Sequence, residues 1–175
     1  NHGITREVGE MFGEGASWGY DMQLLGRNYR MTDIQAALGV SQLRKIDSFI
    51  ERRNELAAFY TRALSDLAWL DLPGTQEHVT HGWHLYTVLL KGVERNTLFS
   101  YLKERGVGVN VHYIPTYKFS YYQRHHPQSA NAFPSTEDVF NRIVTLPLYP
   151  GMNDEDVEYV SEQLHEAASD LNISV

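Results

Sequence analysis

The sequence contains no cysteine, and this absence excludes two kinds of stabilising site. The chain forms no disulfide bond, and a zinc site built on cysteine ligands is excluded as well. The absence fits a cytoplasmic protein, because disulfides are rare in that compartment. Hydrophobic residues make up 42% of the chain, so we expect its stability to come from a packed core.

Positive charge and long apolar runs are also scarce. Lys and Arg together number 15 against 22 Asp and Glu, which gives a net charge of −7. Nucleic-acid-binding proteins usually present a basic face, so this balance argues against a nucleic-acid partner. No apolar run approaches the roughly 20 residues of a membrane span, and we expect no membrane partner. The N-terminus has no initiator Met and no apolar signal segment, so we expect a fragment of a longer protein.

Glycine is concentrated in residues 1–27, where no helical or strand period is sustained, and we expect a loop or an edge hairpin. A long helix is predicted next. Thr32 and Gln35 have the spacing of a capping box. Apolar residues then recur every three or four positions to about residue 65, and the helix is either continuous or broken near Asp47.

The second half of the chain alternates between strand and helix patterns. Strands are predicted at 83–90, 107–111 and 144–148. Helices are predicted at 97–105, at 136–142 and after residue 153, with caps at Asn96, Ser135 and Asn153. This order predicts an α/β fold, an α+β sandwich in which a long N-terminal helix precedes a short mixed or antiparallel sheet covered by helices.

Asn28 and Arg30 stand directly before the predicted helix start. An Arg fork donates two parallel hydrogen bonds to a phosphate or carboxylate, and an Asn amide also donates. Unpaired N–H groups at a helix N-terminus add positive potential. The segment is therefore either an anion site or a plain surface turn, in which Arg30 pairs with an acid.

His112 and Tyr113 follow the predicted strand at 107–111, and an aromatic tract at 117–122 comes after them. Aromatic side chains on a loop beyond a strand end are typical of the wall of a sugar pocket. They are equally typical of a patch packed at a domain or subunit interface. The residues alone leave both readings open.

Two further patterns favour ordinary structure over a site. Gly13-Glu14-Gly15 lacks the full glycine motif of a phosphate-binding loop, and Glu14 would repel a phosphate. His78, His81 and His84 are spaced three apart, but steps of three drift by about 60° each on a helix. That spacing does not match the usual zinc patterns, although a zinc-binding domain stays an alternative.

Five segments together resemble the DegT/DnrJ/EryC1/StrS aminotransferases, which act on nucleotide-linked keto-sugars. They are NHGI at 1–4, NYRMTDIQAALG followed by SQL at 28–43, WHLY at 83–86, GVGVNVHYIP at 106–115 and LPLYPGM at 146–152. The match keeps their order and spacing over nearly the whole chain. Within the family, the chain is most similar to the branch that acts at C4 of a UDP-4-keto-6-deoxy-N-acetylhexosamine in pseudaminic acid synthesis. Perosamine synthetases and the lipid A arabinosamine aminotransferase are close alternatives.

The resemblance implies a fold-type I homodimer whose active sites lie between subunits and which uses pyridoxal 5'-phosphate (PLP) and glutamate. Residues 1–30 would be a remnant loop or hairpin of the large PLP domain, and residues 31–175 the C-terminal small domain. Asn28 would bind the phosphate of the cofactor held by the other subunit. Arg30 would face the nucleotide-sugar, and His112 and Tyr113 would border its pocket.

The chain also departs from the family pattern. It lacks the segment carrying the lysine that binds the cofactor covalently, and none of its own lysines stands in a matching motif; these are Lys45, Lys91, Lys103 and Lys118. Thr116 and Lys118 replace residues that are hydrophobic or small in the family. We therefore expect no catalytic residue in this fragment and no activity from it alone. A stand-alone binding or assembly module without catalysis is the alternative.

Overall fold

The computed structural model describes residues 3–5 and 21–173 of the chain. The chain divides into two compact units, Asn1–Ile46 and Asp47–Val175. The pattern Gly13-Glu14-Gly15 lies outside the described residues, as do the first two residues of the opening segment. The domain boundary predicted between residues 30 and 31 stays a prediction.

In the first unit, two short strands pair antiparallel. Strand β1 (Ile4–Thr5) faces β2 (Asp21–Met22). Gly3 precedes β1 with a φ of 74°, and its carbonyl accepts from the backbone N–H of Gln23 at 2.9 Å. A Cβ at this position would lie 1.8 Å from the Leu24 carbonyl oxygen, so only glycine fits here. The strand pair agrees with the second of the two predicted alternatives, an edge hairpin over a loop.

Helix α1 (Asp33–Leu43) begins where the sequence predicted. The Thr32 hydroxyl accepts from the backbone N–H of Gln35 at 3.3 Å, and the Gln35 side chain accepts from the Thr32 N–H at 2.9 Å. This reciprocal pair is a capping box. None of the residues of α1 is buried within the described structure. Within the described structure, this helix thus has a capped start but no buried face.

The predicted long helix is broken in two. After α1 the backbone N–H of Arg44 donates to the Val40 carbonyl at 3.3 Å, and the N–H of Lys45 donates to the Gln42 carbonyl at 3.0 Å, which tightens the turn. Helix α2 (Ile46–Ala63) then begins one residue before Asp47, the predicted position of the break. The buried residues Leu56, Ala57 and Tyr60 form the inner face of α2.

A short antiparallel sheet lies in the second unit. Its order is β3 (Leu70–Asp71), β4 (Tyr86–Leu90) and β5 (Ile143–Leu146). Both pairs are antiparallel, and Val88 of β4 faces Val144 of β5. Buried and half-buried residues alternate along β4, as expected for a strand with one face on the core. The predicted short sheet is confirmed, and it is antiparallel throughout the described strands.

Four further helices lie along the described part of the chain after β4. They are α3 (Arg95–Glu104), α4 (Ser120–His125), α5 (Pro134–Arg142) and α6 (Asp154–Asp170). Short 3₁₀ turns lie at Thr116–Lys118 and Ala130–Ala132. The core of the second unit is built from α2, α3, α6 and the sheet, with Tyr60, Val88, Leu98 and Leu164 all fully buried. Among the described residues, no helix combines the length and apolar character needed to cross a bilayer.

The last helix matches its prediction. The Asn153 side chain accepts from the backbone N–H of Asp156 at 2.7 Å, and the Asp156 carboxylate accepts from the Asn153 N–H at 2.9 Å. This is a second capping box. Val157, Val160 and Leu164 follow as a buried stripe.

Three local predictions are wrong. The strand at 107–111 does not form; only Asn110 makes a bridge, to Thr145. Helix α3 begins at Arg95 with Glu94 as its cap, because the Glu94 carboxylate accepts from the backbone N–H of Thr97 at 2.8 Å and displaces Asn96 from that role. Helix α5 begins at Pro134 without a side-chain cap, so Ser135 lies inside it. A proline suits the first turn, where a backbone N–H has no helical acceptor.

One arginine joins two segments of the second unit that are far apart in the sequence. Arg53 Nη1 donates to the carbonyl oxygens of Trp83 at 2.7 Å, Leu148 at 3.1 Å and His84 at 3.4 Å. Strands β4 and β5 are antiparallel, so the start of β4 and the end of β5 lie at the same end of the pair. The carbonyls belong to the segment before β4 and the segment after β5, and the guanidinium therefore holds that end of the strand pair against α2.

Candidate functional site

Asn28 and Arg30 lie on the segment that leads into α1, and both are exposed. Within the described residues, neither side chain has a hydrogen-bond or ion-pair partner. Arg27, by contrast, donates to the Tyr29 hydroxyl at 3.1 Å and lies against its ring. The amide and guanidinium donors at 28 and 30 are thus available to a ligand from outside this unit.

The chemistry of this donor set fits a phosphate. A side-chain amide and a guanidinium both donate to anionic oxygens, and the guanidinium does so with two parallel bonds. The end of α1 itself contributes less, because Asp33 places a carboxylate in its first turn. The fit therefore depends on the two side chains and not on the helix terminus.

His112 and Tyr113 line a cavity in the second unit. It has a volume of about 500 Å³ and lies between the loop 112–116 and one side of α5. Ser135, Thr136, Val139 and Phe140 contribute the α5 side. The structure thus brings the two predicted residues together at one cavity, whereas Asn28 and Arg30 belong to the first unit.

The start of this loop is fixed by Thr145, a buried residue of β5. The backbones of Asn110 and Thr145 exchange two hydrogen bonds of 3.1 and 2.8 Å. The Thr145 hydroxyl also lies 3.0 Å from Nδ1 of His112, whereas Nε2 of that ring has no hydrogen-bond partner within the described residues. The ring of Tyr113 meets the His112 ring edge-on at 4.7 Å, and Tyr113 itself is exposed.

Helix α5, the opposite wall, is held at its C-terminal end by two arginines. Arg142 donates to the Leu90 carbonyl at 2.8 Å and to the Asp71 carboxylate at 2.8 Å. Lys91 also pairs with Asp71, and the hydrogen bonds from Lys91 and then Arg142 lower the pKa of that carboxyl below its usual value of 3.8. Arg95 donates to the Phe140 carbonyl and stacks on its ring at 4.7 Å.

A second cavity of about 460 Å³ adjoins the first, and Pro115, Thr116 and Thr136 line both. The other lining residues are mostly aromatic or amide-bearing and include Tyr122 and Gln128. One wall is a stacked pair of rings, Tyr117 and Phe133, with centroids 4.8 Å apart and planes 20° apart. Such a wall suits the flat face of a sugar or a base.

Glu137 of α5 fixes the end of the loop. Its carboxylate accepts from the Tyr117 hydroxyl at 2.6 Å and from Lys118 Nζ at 2.8 Å. The hydrogen bonds from Lys118 and then Tyr117 lower the pKa of Glu137 below 4.5. Burial, followed by the bond to Glu137, raises the pKa of Tyr117 to about 12. At neutral pH the pair is therefore a carboxylate and a neutral phenol.

The three histidines at 78, 81 and 84 are not arranged as a metal site. Within residues 3–5 and 21–173, no group of three or more His, Cys, Asp or Glu is placed to hold a metal ion. His81 Nδ1 instead accepts from the backbone N–H of Trp83 at 2.9 Å, and the two rings lie 4.4 Å apart. The structure gives His81 a local structural role.

Sequence reasoning missed Thr145 and Glu137, which fix the two ends of the loop. Thr145 gives no local signal, because its partners lie more than thirty residues away in the sequence. Glu137 carries a partial signal as an acid in the first turn of a helix that begins with Pro134. That signal places it on a helix but does not reveal Tyr117 and Lys118 as its partners.

Comparison with known proteins places these features in a family. Residues 1–165 match the DegT/DnrJ/EryC1/StrS aminotransferase family. The spore coat polysaccharide biosynthesis protein SpsC of Bacillus subtilis is 34% identical over 170 residues, which are 94% of this chain and 44% of SpsC. The UDP-4-amino-4,6-dideoxy-N-acetyl-beta-L-altrosamine transaminase of Campylobacter jejuni is 32% identical over 167 residues, which are 94% of this chain and 42% of that enzyme.

A solved structure agrees with the sequence matches. Spr1654 of Streptococcus pneumoniae in its PLP form superposes with a TM-score of 0.81 at 27% identity, over 97% of this chain and 41% of that one. The fold is thus that of the corresponding part of a fold-type I sugar aminotransferase. The chain spans less than half the length of each of these relatives. From the match over residues 1–165 we conclude that the chain belongs to the DegT/DnrJ/EryC1/StrS aminotransferase family.

Proposed function

We propose that the chain is the C-terminal part of a PLP-dependent aminotransferase that transfers the amino group of glutamate to a nucleotide-linked 4-keto-6-deoxy sugar. The observation that supports this most directly is the cavity of about 500 Å³ beside His112 and Tyr113. Its size lies within the range of about 300 to 1,000 Å³ that is usual for small-molecule sites. Hydroxyl, imidazole and apolar groups line it together, which suits a sugar ring with polar edges and apolar faces.

PLP, when bound, supplies an electron sink and carries the amino group between the two substrates. This chain would contribute to its binding through Asn28, which donates its amide to the phosphate of the cofactor bound by the other subunit. The solved PLP form of Spr1654 supports PLP as the cofactor. No lysine of this chain stands in a cofactor-binding motif, so we propose that the chain has no activity by itself.

The nucleotide-sugar would be bound by Arg30, His112 and Tyr113. Arg30 offers a fork that matches a diphosphate oxygen pair. His112 is oriented by Thr145 through Nδ1, so its Nε2 is left to bind a sugar hydroxyl or carbonyl. Tyr113 adds an exposed phenol beside it. These residues bind and orient the sugar, and they exclude water from one side of it.

The wider setting is also a proposal. The name of the Campylobacter jejuni relative supports C4 of a UDP-linked deoxy-N-acetylhexosamine as the aminated position. We further propose that the product serves pseudaminic acid synthesis, for a flagellar glycan or a cell-surface polysaccharide. The exposed apolar residues of α1 support a homodimer, because such a surface is typical of association. We further propose that the enzyme works in the cytoplasm.

The test uses the protein that carries this chain, supplied with PLP, glutamate and the UDP-linked 4-keto-6-deoxy-N-acetylhexosamine. Mass spectrometry of the sugar follows amination, and PLP absorbance after gel filtration follows cofactor retention. Asn28→Asp replaces the amide donor with a carboxylate that repels the phosphate, so we expect PLP affinity to fall about tenfold or more. Asn131→Asp, at an exposed turn in the second unit, is the matched control and should retain PLP.

Amination by the wild type, with cofactor loss confined to Asn28→Asp, is the expected result. Amination with equal PLP retention in both variants would remove Asn28 from the cofactor site and leave the activity standing. Binding of the nucleotide-sugar without amination, in a protein shown to contain the cofactor, would contradict the enzyme proposal and favour a binding module.

A further inference from the structure

The loop beside the two cavities belongs to a stretch without acidic residues. No Asp or Glu occurs from Arg105 to Thr136, although the chain has a net charge of −7. Lys118, Arg124 and three histidines lie within this stretch. Glu137 is the first carboxylate after this stretch.

Glu137 contacts this stretch directly, from a helix that is anchored to the sheet. Its side chain is 21% exposed, and its carboxylate joins the Tyr117 hydroxyl at 2.6 Å to Lys118 Nζ at 2.8 Å. The helix that carries it is anchored to the sheet through Arg142 and the Asp71 carboxylate. A rigid helix that holds two consecutive loop residues sets where that loop lies.

The segment 113–116 is held at both of its ends by hydrogen bonds. Thr145 holds its start through Asn110 and His112. Glu137 holds its end through residues 117 and 118. Residues 113–116 line the cavities. Pro115, Thr116 and Thr136, the helix neighbour of Glu137, line both cavities and form the partition between them.

We propose that Glu137 is a positioning residue for the nucleotide-sugar: by holding Tyr117 and Lys118 it fixes the partition at 115–116 against α5 and so sets the shape of both cavities. This inference rests on the proposed function. Glu137 lines neither cavity and acts through the loop. It also neutralises Lys118, which keeps that ammonium from pairing with an anionic ligand in place of the intended contacts.

The test measures the affinity for UDP-N-acetylglucosamine, a stable nucleotide-sugar, by calorimetry on the protein that carries this chain. Glu137→Ala removes both contacts, and we expect about tenfold weaker binding. Tyr117→Phe removes only the hydroxyl and keeps the ring stack, and we expect a loss of a few-fold. The double variant should bind no more weakly than Glu137→Ala, because both changes break the same contact. Glu137→Gln keeps an acceptor for the phenol and should recover part of the affinity.

Glu158→Ala is the matched control, since Glu158 is an exposed helical glutamate on α6 without a side-chain partner in the described structure. Its affinity should equal that of the wild type. Additive losses in the double variant would overturn the inference, as would variants that unfold at lower temperature but bind within twofold of the wild type. A wild type that binds no nucleotide-sugar would overturn the proposed function and this inference with it, whereas unchanged binding in Glu137→Ala would overturn the inference alone.

Discussion

Two helices of this chain begin with a capping box but differ in how far their side chains are buried. Helix α1 starts at the capping box of Thr32, and α6 starts at the capping box of Asn153. Leu164 of α6 is fully buried, whereas Leu38 of α1 is 61% exposed and no residue of α1 is buried within the described structure. Capping thus specifies where a helix begins, while burial of its apolar face decides how much the helix stabilises the fold.

The largest expected effect comes from removing a leucine side chain from each helix. Leu164→Ala leaves a cavity in a closed core, and we expect the free energy of unfolding to fall by about 2 to 5 kcal/mol. Leu38→Ala removes a side chain that already faces solvent, and we expect a change below about 0.5 kcal/mol. Urea denaturation of the 175-residue chain measures both values. Equal losses would contradict the contrast drawn between the two helices.

The second test removes the cap from each helix. Asn153→Ala should lower the free energy of unfolding by about 1 kcal/mol, because α6 unfolds together with its core. Thr32→Ala costs a similar amount locally, but we expect it to raise amide hydrogen exchange in α1 and leave the denaturation midpoint unchanged. A lower midpoint in Thr32→Ala would show that the two units unfold as one.

The smallest expected effect concerns acid. The lowered pKa of Glu137 means that its contacts stabilise the second unit above pH 4.5, its usual pKa, and that this stabilisation is lost as the pH falls through the lowered value. We expect the unfolding temperature to fall less steeply in Glu137→Gln than in the wild type between about pH 5 and about pH 3. Glu158→Gln should follow the wild type, and identical profiles for all three would refute a role for the Glu137 contacts in acid stability.

The parts of the fold that depend on neighbouring residues could be predicted from the sequence. The capping box at Thr32 and the cap at Asn153 are local patterns, and both were placed correctly. The caps at Asn96 and Ser135 were wrong because neighbouring Glu94 and Pro134 serve those helix starts better. The strand at 107–111 was wrong because strand formation needs a partner, and only Asn110 finds one, in Thr145.

The candidate site divides in the same way. His112 and Tyr113 were singled out from an aromatic loop, and the structure places both at one cavity. Their roles, like those of Asn28 and Arg30, stay predictions. Glu137 could not be identified, because its contacts with Tyr117 and Lys118 depend on how α5 packs against the loop.

Arg53 joins the carbonyls of Trp83, His84 and Leu148. We expect these contacts and those of Glu137 to respond differently to acid. This junction contains no carboxylate, because Arg53 donates to backbone carbonyls. The Glu137 contacts, in contrast, depend on a carboxylate, and they lower its pKa. On acidification we therefore expect the loop 112–118 to loosen while the junction at Arg53 still holds, so that the cavities lose their shape before the core opens.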